Sequence, residues 1–137
     1  MVNKAISLWQ PWAGLISLGL KQVETRHWGT QYRGNLIICS AQKTNRDLEN
    51  LYYDTFWYPL RNKRELPRYC DLYFGYAVAQ CNLTNCIIMT EEFINSQTEL
   101  ERAAGDWEVG RFAWILTDIR PIDPPFEVKG RQGLFNL

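Results

Sequence analysis

The run Tyr76-Ala-Val-Ala-Gln-Cys-Asn-Leu-Thr-Asn-Cys-Ile-Ile is the longest strand-like stretch of the chain. It contains neither glycine nor proline and reads as a strand bent near Asn82 to Asn85. A chain whose longest regular segment is a strand must build a sheet around it. Shorter strands are predicted at Lys4 to Trp9, Val23 to Arg26, Asn35 to Ala41, Gly110 to Leu116 and Phe126 to Val128. Within the third of these, Leu36-Ile37-Ile38-Cys39 is a continuous apolar run, typical of a strand covered on both faces. Helical spacing is confined to short pieces. Pro11 suits the first position of a helix, where its missing N–H costs nothing, and Trp12, Leu15 and Ile16 share a face. Gly19 is placed to end that helix in the left-handed conformation, with Leu20 folded back towards Leu15. Thr44 and Asp47 resemble a capping box, after which Leu48, Leu51, Tyr52 and Phe56 keep helical spacing until Pro59. Thr98 and Glu101 begin another short helix that ends at Gly105. Several strands with short helices between them predict a mainly β, α+β fold, a small closed or nearly closed β-barrel. Too few strand–helix–strand alternations are present for a doubly wound sheet.

Composition narrows the function classes. With 137 residues and 46% hydrophobic content, residues 1–137 suit a single domain with a real core. No apolar run reaches membrane-spanning length, and the N-terminus lacks the apolar core of a signal peptide, so a cytoplasmic protein without membrane contact is expected. Cys39, Cys70, Cys81 and Cys86 form no C-x-x-C pair, and His27 is the one histidine. No metal or other cofactor is therefore expected, and a mechanism built on a catalytic histidine would hang on His27 alone. The zero net charge hides an asymmetry: residues 1–68 hold ten Lys/Arg and five Asp/Glu, and residues 69–137 hold five and ten. A polyanion would have to meet a face built from the first half. The carboxylates between Glu91 and Glu108 should face away from it.

The segment Gly19-Leu20-Lys21-Gln22-Val23-Glu24-Thr25-Arg26 sets charges of mixed sign directly after the first helix, between Ser7-Leu8-Trp9-Gln10-Pro11-Trp12-Ala13 and Trp28. It reads as a pocket wall with aromatic faces, a cation and a carboxylate. Along a strand Glu24 and Arg26 share a side while Lys21 has the opposite parity, so a turn at Gly19 is needed to bring Lys21 to the same mouth. A nearby carboxylate favours the charged lysine, a fixed cation for phosphate or carbonyl oxygens rather than a base. The alternative is a structural ion-pair cluster at a barrel rim. Trp12 and Trp114 fit core packing better, whereas Trp9 and Trp28 flank the motif and can stack on a base. Arg33, Lys43, Lys129 and Arg131 can extend a cationic track outward, and Arg61 to Arg68 reads as an exposed basic loop.

These residues resemble the ASCH (activating signal cointegrator homology) domain family. The resemblance rests on the Ser7–Ala13 segment, on G-x-K-x-x-E-x-R at Gly19, Lys21, Glu24 and Arg26, and on Trp28 and Tyr32-Arg33-Gly34. Gly110-Arg111-Phe112-Ala113-Trp114 and Val128-Lys129-Gly130 continue it, and residues 45–73 are least family-like. It implies a PUA-like β-barrel with a cleft beside the first helix, a superfamily that includes RNA-binding and modified-base-recognising modules. Members that resemble amidohydrolases acting on acetylated cytidine pair the motif lysine with a threonine where this chain has Glu24. A carboxylate does not replace a hydroxyl nucleophile without changing the chemistry. The leading expectation is thus a non-catalytic module for single-stranded RNA or an exposed, modified base. Trp9, Lys21, Glu24, Arg26, Trp28, Arg33, Lys43 and Lys129 would make its contacts. A small hydrolase or ribonuclease using Lys21 and Glu24 is the alternative, with a nucleoside as possible ligand. A protein-interaction module in a transcription or translation assembly is the third.

Overall fold

A computed structural model describes residues 3–137. Six strands form one mixed sheet: β1 (Lys4–Leu8), β2 (Val23–Arg26), β3 (Gly34–Ser40), β4 (Tyr76–Ile88), β5 (Phe112–Glu127) and β6 (Phe135–Asn136). Their spatial order is β2-β5-β4-β3-β1-β6. Only β1 and β3 run parallel, with Lys4 opposite Leu36 and Leu8 opposite Ser40. The mainly β, α+β class expected from the sequence holds. The sheet is not closed: β2 and β6 remain its edges.

The apolar run in β3 explains the layering. Leu36 and Ile38 point into a core shared with Ile6, Leu83, Trp114 and, from the first helix, Ala13 and Ile16. Ile37 and Cys39 point the other way, onto Ala5, Ala77 and Phe135. The strand is therefore covered on both faces, as a run without alternation predicts. Burial pushes the Cys39 thiol up to about 11 and that of Cys81 to about 12, so both stay protonated core groups. In β4 the register slips between Ala77 and Ala79, Gln80 and Asn82, and Leu83 and Asn85. Two of these slips fall at the expected bend, since an extra residue in one strand kinks it and increases its twist.

Helix α1 (Trp12–Ser17) ends as its sequence predicts. Gly19 takes φ +78°, Gly19 N–H bonds Ile16 O at 2.9 Å and Leu20 N–H bonds Leu15 O at 2.9 Å, the paired bonds of a left-handed C-terminal cap. The next helix departs from expectation by one residue at its start. Asn45, not Thr44, caps α2 (Arg46–Leu51) by accepting from Leu48 N, while the Thr44 hydroxyl bonds the Tyr69 hydroxyl at 2.6 Å. α2 continues through a π-helical stretch (Tyr52–Trp57) into α3 (Tyr58–Leu60), so Pro59 lies inside the last turn rather than ahead of it. Thr98 caps α5 (Glu99–Ala103) as expected, and the unforeseen α4 (Glu91–Asn95) is capped by Thr90.

The largest departure is β5, one strand where the sequence suggests two. Its first residues pair with both β2 and β4, Val23 standing opposite Ile115 and Arg26 opposite Phe112. From Thr117 onward only β4 pairs with it among the described residues. Pro121, Pro124 and Pro125 lie in that one-sided half, where a missing donor is tolerated.

Candidate nucleic-acid interface

The open seam of the sheet is where the motif residues gather. The turn at Gly19 brings Lys21 N–H onto Leu15 O at 3.1 Å and sends the side chain inward. Lys21 is 1% exposed. Its ammonium donates to Val23 O at 2.7 Å and Ala104 O at 2.6 Å, and lies 3.4 Å from Glu24 Oε1. Three oxygens match its three donors, which is what makes a buried ammonium tolerable. The expectation that Lys21 reaches the mouth is thereby corrected: it sits beneath the floor. Glu101 of α5 adds a carboxyl to the same region, its Oε1 accepting from Gln22 N at 2.8 Å. Burial raises the Glu101 pKa, against the opposing pulls of the Gln22 N–H and the Lys21 charge.

Glu24 and Arg26 do share one side of β2, as strand parity requires. Arg26 Nε donates to Glu24 Oε2 at 3.1 Å, and Arg26 Nη2 donates to Ser7 O at 3.1 Å. That second bond spans from edge strand β2 to β1 without any backbone pairing between them. Nη1 of Arg26 has no hydrogen-bond partner among the described residues. The guanidinium carbon lies 5.8 Å from the centre of the Trp28 ring. Trp28 in turn meets Trp114 edge-on at 4.9 Å, and its carbonyl accepts from Trp114 Nε1. Thr25 has the other parity, and its hydroxyl accepts from Asp106 N at 2.9 Å.

Above this floor opens a cleft of about 1590 Å³. Its walls are the ends of β1, β2 and β3, the start of β4 and the segment after β5. Arg26, Lys43, Arg111, Lys129 and Arg131 line it, against the carboxylates of Glu24 and Glu127. Trp9, 41% exposed, stands at the rim, and Trp28 forms part of the inner wall. Of the residues expected at the site, Trp9, Glu24, Arg26, Trp28, Lys43 and Lys129 come together here, while Lys21 and Arg33 do not. Arg33 is exposed elsewhere, its Nη1 donating to Thr30 O and Tyr32 O. Arg111 is the cation that the sequence reading passed over. Asp106 holds it, through Asp106 O at 3.0 Å and a carboxylate oxygen at 3.6 Å. Its place in Gly110-Arg111-Phe112 was a usable signal. The segment after β5 comes very close to β1, since a Cβ on Gly130 would lie 2.9 Å from Ser7 Oγ. Among the described residues no three His, Cys, Asp or Glu side chains gather as a metal-binding group, and no helix is long and apolar enough to cross a membrane.

A sheet opened at a basic, tryptophan-walled seam, with a lysine–glutamate–arginine ladder beneath it, defines a class. The chain belongs to the ASCH domain family, whose model matches residues 6–126. It is 27% identical over 136 residues to activating signal cointegrator 1 of Mus musculus, and equally to that of Homo sapiens. The match covers 96% of this chain and 22% of each relative, so the chain spans about a fifth of those proteins' length.

Proposed function

We propose that this domain is a non-catalytic module that takes single-stranded RNA, with one base entering the seam cleft. The observation that carries this reading is the lining itself, five Lys or Arg against two Glu around an open recess with tryptophan walls. At about 1590 Å³ the recess exceeds the roughly 300–1,000 Å³ of a small-molecule pocket and suits a segment of chain. Of Lys21 and Arg26, both expected to meet phosphate or carbonyl oxygens, Arg26 alone offers them a donor, Nη1. Glu24, fixed from below by Lys21 and from the side by Arg26, accepts from a base edge. Trp9 stacks at the rim, while Lys43, Lys129 and Arg131 meet the backbone. Lys21 is the positioning residue of the set. Its enclosure by oxygens also speaks against proton-transfer or Schiff-base chemistry, which needs a neutral, reachable amine.

Equilibrium titration of a fluorescent single-stranded RNA tests the reading. Arg26→Ala and the double variant Lys129→Ala/Arg131→Ala should each weaken binding at least fivefold while Arg33→Ala leaves it unchanged. Equal binding by all of these proteins would end the proposal.

A further inference from the structure

We infer a second stacking subsite on the outer wall of the cleft, centred on Tyr73, which holds the base of a nucleotide flanking the one inside. The inference rests on the reading of the cleft as an RNA interface and defines its ligand as an oligonucleotide rather than a free nucleoside. Tyr73 is 48% exposed, yet it is held from two directions. Its carbonyl accepts from Gln10 Nε2 at 2.7 Å, and Gln10, 1% exposed, is itself fixed because its Oε1 accepts from Gly14 N at 2.7 Å. Its ring meets Tyr76 edge-on with centroids 5.1 Å apart, and the Tyr76 hydroxyl reaches Glu127 Oε1 at 3.3 Å. An exposed ring already braced in this way surrenders little freedom when a flat ligand settles on it.

The placement matters as much as the bracing. Gln10 follows Trp9 in the chain, so the Gln10–Tyr73 bond ties two exposed rings to one frame. Tyr76 and Glu127 line the cleft, and Tyr73, outside that lining, packs edge-on against Tyr76. The same wall carries Lys43. Gly75 N donates to Ser40 O at 3.0 Å, and a Cβ on Gly75 would lie 2.7 Å from Gln42 Cγ, so the segment leading to Lys43 packs hard against the residues after Tyr73. Aromatic rings along a basic groove are what single-stranded chains stack on, one base per ring. A mononucleotide held in the cleft leaves Tyr73 bare.

Affinities of 5′-AMP and a tetra-adenylate RNA, measured at one salt concentration for the wild type, Tyr73→Ala, Tyr73→Phe and Arg26→Ala, test the subsite. Tyr73→Ala should lose about tenfold on the tetramer and nothing on AMP, with Tyr73→Phe within about twofold of wild type on both. Arg26→Ala should weaken both ligands. A tetramer affinity untouched by Tyr73→Ala, or an equal loss on AMP, would overturn the subsite while leaving the cleft reading intact. Failure of the wild type to bind either ligand would overturn both.

Discussion

Lys21 is 1% exposed, its side-chain nitrogen held by Val23 O, Ala104 O and the Glu24 carboxylate. Removing it strands two carbonyls and leaves Glu24 with only Arg26 opposite. Lys21→Ala is expected to lower unfolding stability by about 3–5 kcal/mol, read from a urea titration. A loss below about 1 kcal/mol would show that water reaches the ammonium. Glu101 beside it has the opposite problem, because its second oxygen has no partner among the described residues. Its folded pKa lies above the ordinary value of 4.5, so the folded protein binds the proton more tightly than the unfolded chain. Between that ordinary value and the raised one, this group's contribution to stability falls as pH rises, and it is level above. Glu101→Gln should flatten that slope when melting temperatures of the two proteins are compared from pH 4.5 to 7. Parallel curves would count against the shift. Neither feature could be read from residue spacing. The charges near Lys21 were legible, but one of the two carbonyls that enclose it, Ala104 O, comes from a helix end more than eighty residues away.

At the scale of elements, strand parity and turn chemistry were the legible parts. Alternation placed Glu24 and Arg26 together and Thr25 apart, and Gly19 with Leu20 foretold how α1 would stop. β5 reads as two strands in a local window, where sheet order is invisible; its proline-bearing half is tolerated because it pairs on one side only among the described residues. The thirteen residues of β4 give β5 its long partner. Gly130 belongs to this scale too, since its bare Cα lets the segment after β5 lie against Ser7. Gly130→Ala must push that segment or the Ser7 side chain aside. The expected outcome is RNA affinity reduced severalfold with stability changed by less than about 1 kcal/mol, measured by titration and denaturation on the same samples. Unchanged affinity would mean that this rim plays no part in binding.

For the molecule as a whole, the excess of Lys/Arg in residues 1–68 anticipated a basic face, and Arg26 and Lys43 do lie in the cleft. The acidic half is not excluded from it: Arg111, Lys129 and Arg131 join them there together with Glu127. Counting charges by halves therefore found the sign of the surface but only part of its membership, because β5 and the segment beyond it fold back across the seam. With about three phosphates neutralised, log K should fall against log salt with a slope of about −2 for a single strand. A flat dependence would remove the electrostatic basis of the proposed function.

One guanidinium joins β2 to β1 across the gap where no ladder of backbone hydrogen bonds exists among the described residues. Arg26 is thus a stitch in the wall, and under the proposed function an offered hand as well, so that two duties compete for the same planar group. Any ligand that draws it inward also tugs at the lacing between two strands, so occupancy and the tightness of the mouth become linked quantities. Affinity lost on altering this residue must accordingly be read beside its denaturation midpoint, since a single exchange moves both.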